Sequence, residues 1–246
     1  METVLPRWLG FDLDECLGNL RPITKFCEQY EPEELAAAIL PFELCGDTWL
    51  MRPGIHDVVV AVAEAVQSGK VTGAFLYSNN AREPNVRFVQ ALLNLIAREA
   101  TGVEPFRAAF HRSAAARSSH DKTFTEICDL LHCADLPPPT RKQDVAFFDD
   151  RFHILATEIA HYHRVPKYAS VTPVERVIAA ATSSALAGKK TRELSLQQII
   201  DASMEHYGGK EAAAAPPVDY EAINVFVNGI KVFMDPPVRP YPPSIS

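Results

Sequence analysis

Short apolar runs alternate along the chain with longer stretches in which apolar residues recur every three or four positions. Buried strands interleaved with amphipathic helices have this pattern. Trp8 to Phe11 is apolar and ends abruptly at Asp12, as a buried parallel strand does when its carboxyl end opens into a loop. Val58, Val59, Val62, Ala65 and Val66 predict a helix over Ile55 to Gln67, introduced by Arg52-Pro53-Gly54 and stopped near Gly69. Val71 to Tyr77 predicts a second strand, Ser78-Asn79-Asn80 a polar loop, and Pro84 to Glu99 a strong helix. The alternation continues with a strand over Phe106 to Phe110, a helix over Lys122 to Leu131, and a strand over Val145 to Phe148 ending at Asp149-Asp150. A helix over His153 to Arg164 and a short strand over Tyr168 to Val171 close the series.

This order predicts an α/β fold over residues 1–171: a Rossmann-like, mostly parallel sheet with helices on both faces and right-handed crossovers. Such a sheet carries its chemistry at the carboxyl ends of its strands. Leu17 to Leu50 interrupts the pattern and reads as a small cap or insertion, with Glu31-Pro32-Glu33-Glu34 as the acidic first turn of a helix over Leu35 to Leu40. Residues 172–246 read as an appendage. It comprises helices over Val174 to Leu186 and Ser195 to His206, then a linker through Gly208-Gly209 and Ala212 to Pro217. A hairpin of Val225 to Val227 and Ile230 to Phe233 about Asn228-Gly229 follows, and an extended proline-rich tail from Pro236 to Pro243. The helices and tail offer a surface to a protein partner.

At 246 residues the chain suits one main domain, and 47% hydrophobic with 22% charged residues suits a packed interior. The five cysteines are odd in number and never spaced as C-x-x-C, so neither a disulfide framework nor a zinc ribbon is indicated. No apolar stretch approaches the roughly 20 residues needed to span a bilayer, and no leader opens the chain; a cytoplasmic or nuclear location and no membrane partner are expected. A formal charge of −7 disfavours broad electrostatic capture of nucleic acid but leaves room for a local basic patch. His161 and His163 are two apart, unlike an i, i+4 ligand pair.

Candidate chemistry lies at the strand ends. Asp12 and Asp14 are one residue apart just beyond the first strand, so both carboxylates can serve one loop face, one attacking and one donating a proton. Alone, an Asp-x-Asp more often marks turn or capping aspartates, so the motif needs company. Ser78 follows the second strand, where its hydroxyl can bind a phosphoryl oxygen or simply cap the next turn. Lys122, after a loop, brings an ammonium group. Asp149 and Asp150 end a third strand, where Mg²⁺ can be held by a few oxygens and several waters.

The order Asp-x-Asp, Ser, Lys, Asp-Asp resembles the four motifs of the haloacid dehalogenase superfamily over residues 7–171. Asp12-Leu13-Asp14-Glu15-Cys16 and Met51-Arg52-Pro53-Gly54 most resemble the branch containing phosphatases of the RNA polymerase carboxy-terminal domain. Cys16, Asp150 and Ser78-Asn79-Asn80 depart from that branch's pattern. The resemblance implies a Mg²⁺-dependent phosphatase with Asp12 as nucleophile and Asp14 as general acid, then base. It also implies Ser78 and Lys122 as phosphate ligands. Asp149 and Asp150 would be metal acids beside Asp12, with a backbone carbonyl from Asp14. A small cap leaves the site open to a phosphorylated substrate as large as a phosphoprotein or a nucleic-acid end. The competing reading is a binding or assembly protein that keeps the fold without catalysis.

Overall fold

The computed structural model describes residues 5–46, 50–114, 116–117, 120–169, 172–182, 186, 191–192, 194–207 and 216–235. In chain order the elements begin with β1 (Trp8–Phe11), α1 (Thr24–Gln29), α2 (Pro32–Leu44), α3 (Ile55–Gln67) and β2 (Gly73–Tyr77). They continue with α4 (Glu83–Thr101), β3 (Phe106–Phe110), α5 (Phe124–Cys133), β4 (Val145–Asp149), α6 (Leu155–Glu158) and β5 (His161–Arg164). The chain then forms α7 (Val174–Thr182), α8 (Leu196–Tyr207) and α9 (Tyr220–Met234). The strands pair only in parallel, in the order β3-β2-β1-β4-β5, which is the α/β, Rossmann-like sheet expected from the alternation. The strands that follow β1 and β4 lie on opposite sides of that pair. Their carboxyl ends therefore flank the crevice where such sheets bind ligands.

Alternation of side chains along each strand divides the interior in two. Leu9, Phe11, Ala74, Leu76, Ala146 and Phe148 belong to one cluster, with apolar residues of α2, α3, α4 and α9. Trp8, Phe75, Tyr77, Val145 and Phe147 face the other, with Ile127, Leu130 and Leu131 of α5 and Leu155. Gly10 lets the second layer close over β1, because a Cβ there would sit 2.4 Å from Phe147 and 2.5 Å from Phe75.

Three expectations are corrected. Residues 153–164 form the short α6 followed by β5, not one helix, because Tyr162 and Arg164 alternate with His161 and His163 across an edge strand paired to β4. Tyr168 and Ala169 are not in a strand, and residues 170–171 of that segment lie outside the described residues. The hairpin about Asn228-Gly229 is instead the continuous helix α9. Its Ala222, Phe226, Gly229, Ile230 and Phe233 share one buried face, and helical spacing outweighs the local turn signal. Phe226 packs on Phe11 and Phe148 at ring-centroid distances of 6.0 and 5.3 Å, and a Cβ at Gly229 would lie 2.7 Å from the Phe148 ring. Helix α9 is thus core rather than appendage. Of the expected helix over 174–186, α7 covers Val174–Thr182 and residues 183–185 lie outside the described residues, as do most of the linker and the proline-rich tail. Among the described residues no helix is long and apolar enough to cross a membrane.

His163 stacks on Phe148 at 4.8 Å, and its buried Nε2 has no hydrogen-bond partner. Burial, aided by His161, pushes its pKa from 6.5 down to about 4. The unfolded chain therefore takes up the proton first as pH falls. The stability that neutral His163 contributes is whole above about 6.5 and is lost as pH drops toward 4. In His163→Phe, which keeps the stacking and removes the titration, melting temperature should fall less steeply across that window. An unchanged slope in a pH series of thermal melts would refute this.

Candidate functional site

The first loop of the site is built from β1. Asp12 donates its N–H to the Phe148 carbonyl at 2.9 Å, carrying the β1–β4 ladder one residue beyond β1 and placing the Asp12 side chain beside the end of β4. The chain then folds back on itself: Leu17 and Gly18 N–H groups reach the Leu13 carbonyl, and Glu15 adopts φ of 67°. A non-glycine residue there costs about 1–3 kcal/mol and persists only where its surroundings hold it. Much of that restraint comes from Arg52, whose guanidinium is fully buried. It donates to the carbonyls of Cys16 (2.9 Å), Glu15 (3.2 Å) and Pro166 (2.5 Å), and pairs with Asp219, the N-cap of α9, at 2.5 Å. Gly18 admits the close approach of residue 50, whose carbonyl would lie 2.3 Å from a Cβ at position 18.

Lys122 reaches the centre from the other side. It precedes the helix rather than opening it, because α5 starts at Phe124 and Thr123 is the N-cap, its hydroxyl accepting from Glu126 N–H at 3.2 Å. The Lys122 Nζ donates to Asp12 Oδ1 at 2.5 Å and to Asp149 Oδ2 at 2.6 Å. The lysine is fully buried, and its ammonium lies over the rings of Phe147 and Tyr77 at 5.1 and 5.7 Å. Residues 12, 122 and 149, distant in sequence, therefore meet at one point.

Asp12, Asp149 and Asp150 are all buried, and each brings one carboxylate oxygen within 4.8 Å of the others. At an effective dielectric near 20, two like charges at that separation repel by about 3.5 kcal/mol. Lys122 offsets one of the three. Burial first, then the neighbouring Asp149 charge, raises the Asp12 pKa to about 7 against the opposing pull of Lys122, and burial likewise raises Asp150. Asp150 Oδ1 is buried with no hydrogen-bond partner. An orphaned buried acceptor within a set of hard carboxylate oxygens fits a divalent cation.

The expected residues divide as follows. Asp12, Asp149 and Asp150 supply the carboxylate cluster with Lys122 between two of them, while Asp14 does not bring its carboxylate into it. The Asp14 side chain lines the same cleft and accepts from Asn80 Nδ2 at 3.1 Å, and burial raises its pKa. Ser78 also lines the cleft, but its Oγ accepts from Asn80 N–H at 3.0 Å, so it caps its own turn. Sequence reasoning gave no role to Asn80, to Arg52, or to His153, whose Nε2 is 3.6 Å from Asp149 Oδ2. The polar triplet at a strand end was a usable signal for Asn80. Nothing local marks Arg52 as buried, since an arginine before Pro-Gly is ordinarily a surface residue.

The cleft has a volume of about 390 Å³. From the insertion, Asn19, Leu20, Arg21 and Thr24 form one wall, while Phe26, Tyr30, Leu35 and Ile39 are buried in the core. The insertion is therefore fused to the body of the protein. Comparison of the chain with models of protein families, with curated proteins and with solved structures finds no match.

Proposed function

We propose that this chain is a Mg²⁺-dependent phosphomonoester hydrolase of the haloacid dehalogenase type, working through a phosphorylated Asp12. The observation that carries this reading is the buried Lys122 ammonium bonded at once to Asp12 and Asp149, with Asp150 alongside. A merely structural ion pair has no need of three buried acids around one lysine, since the excess charge destabilises it.

In the first displacement an Asp12 oxygen attacks phosphorus, the bond from phosphorus to the ester oxygen breaks, and Asp14 gives its proton to the departing alkoxide. A carboxyl group whose pKa is raised by burial keeps that proton nearer neutrality. In the second, Asp14 takes a proton from water as the water oxygen bonds to phosphorus and the Asp12–phosphorus bond breaks, so both acids return to their starting states. Lys122 and Ser78 would stabilise the phosphoryl oxygens. Asp12, Asp149 and Asp150 would hold Mg²⁺, which would supply positive charge against the phosphoryl oxygens. Asn80 fixes the Asp14 carboxylate, and Arg52 fixes the loop that carries both acids. Among the described residues the insertion forms a wall of the cleft and no large lid, which suits a macromolecular phosphoester.

The test is hydrolysis with Mg²⁺ across phosphopeptides, 5′- and 3′-phosphorylated oligonucleotides, sugar phosphates and nucleotides, joined to thermal shift with beryllium fluoride. Turnover of a phosphomonoester, and stabilisation by Mg²⁺ with beryllium fluoride that depends on Asp12, are expected. A protein inert on the whole panel and unshifted by the fluoride would overturn the assignment.

A further inference from the structure

Beyond Asp149 and Asp150 the chain carries an exposed aromatic ring between two residues that line the cleft. Phe152 is 67% exposed, yet it is the outer member of an aromatic ladder. It stacks on Tyr162 at 6.3 Å with an interplanar angle of 17°, Tyr162 stacks on Phe147 at 6.1 Å, and Phe147 packs on Phe75. The Arg164 guanidinium lies over the Phe152 ring at 4.9 Å. The ring is thus held by β5 while remaining largely open to solvent. Its neighbours Arg151 and His153 both line the catalytic cleft, and three residues of chain keep Phe152 within about 11 Å of Asp149.

Arg151 belongs to a second groove as well. That groove is also lined by Asp150, Arg164, Lys167 and Glu221. Arg151 and Lys167 both pair with Glu15, at 3.2 and 2.7 Å. Arg164 therefore stands over one exposed apolar ring, and Arg151 and Lys167, which share Glu15, line the adjoining groove together with Asp150 and Glu221. A solvent-exposed ring of this kind stacks on any planar heteroaromatic group, while neighbouring cations attract phosphates. An unmodified peptide backbone has no group that requires both.

We propose that Phe152 is the stacking platform for the terminal base of a single-stranded nucleic acid whose end phosphate enters the cleft, with Arg164 and Lys167 holding the next phosphodiester. This rests on the hydrolase reading and names its substrate class. The overall charge of −7 supplies no long-range attraction, so recognition depends on this local patch.

The experiment compares hydrolysis of 3′- and 5′-phosphorylated oligonucleotides with the same oligonucleotides lacking only the terminal base, with mononucleotides, and with phosphopeptides. The base should raise kcat/KM by about 5- to 150-fold, an advantage lost in Phe152→Ala and kept in Phe152→Trp. The ring is too exposed for its removal to unfold the protein. Anisotropy of labelled oligonucleotide, measured against salt on Asp12→Asn and on its Phe152→Ala double variant, reads the platform without catalysis. Phe152-dependent binding together with inertness on every phosphoester would sink the hydrolase reading and leave the platform. Hydrolysis indifferent to the base, equal for mononucleotide and oligonucleotide, or favouring phosphopeptides, would overturn the platform and leave the hydrolase.

Discussion

Asp12→Asn is expected to abolish phosphomonoester hydrolysis and, in the same protein, to raise the melting temperature measured without divalent cation. Loss of the attacking carboxylate removes the covalent step, and a fall in kcat of at least about 10³-fold follows. The geometry survives, because the amide oxygen of asparagine can accept the Lys122 hydrogen bond that Asp12 Oδ1 accepts at 2.5 Å. Stability moves the other way because one of three buried acids has lost its charge, leaving Lys122 facing fewer anions. With Mg²⁺ the order should reverse. A cation held by three carboxylates stabilises the wild type by mass action and the variant less. Thermal melts of both proteins, with chelator and with Mg²⁺, read this crossover alongside the activity. A gain of equal size in both conditions would mean that the cluster binds no metal, and full activity in the variant would remove Asp12 from the chemistry.

Lys122→Met should have the largest effect on the fold. Methionine keeps the apolar stem packed over Phe147 and Tyr77, so the change isolates the ammonium. Asp12 and Asp149 then lose a donor at 2.5 and 2.6 Å while remaining buried, at 7% and 1% exposure. Breaking a buried pair on one side leaves uncompensated charge, which costs about 3–5 kcal/mol. Urea denaturation in chelator should show that loss. Mg²⁺ should restore about 2.7 kcal/mol when present at a hundredfold excess over its dissociation constant. Turnover with Mg²⁺ should fall by about 10²- to 10³-fold, as when a preorganised donor to a developing charge is removed. A loss below about 1 kcal/mol would show that water reaches these acids and that the site is not the low-dielectric centre described.

Asp12→Asn and Lys122→Met differ in a diagnostic way. Removing the acid should relieve the metal-free protein and removing the lysine should damage it, although either change is expected to disable the proposed catalysis. A scaffold that kept these residues for packing alone would show no such opposition under control by Mg²⁺. Arg52 stands apart from both, since it touches the loop backbone and Asp219 rather than the cleft, and so acts by positioning.

The alternation of apolar runs determined the α/β class, and the boundaries of β1, α3 and β3 coincide with those read from the sequence. These elements are short-range consequences of burial: a fully buried strand is continuously apolar, and an amphipathic helix repeats every three to four residues. That Asp12, Asp149 and Asp150 follow apolar strands was visible for the same reason. Tertiary structure decided whatever depends on a partner element. Asn228-Gly229 looks like a turn until Phe148 lies beneath Gly229, and residues 161–164 become an edge strand only because β4 offers its unpaired side. Lys122 resembles a surface lysine until the end of β4 and the first loop enclose it, and Phe152 acquires its orientation only from Tyr162 and Arg164. Periodicity records which side of an element faces the interior; which charges share that interior is set by the order in which the strands assemble, and no local pattern contains it.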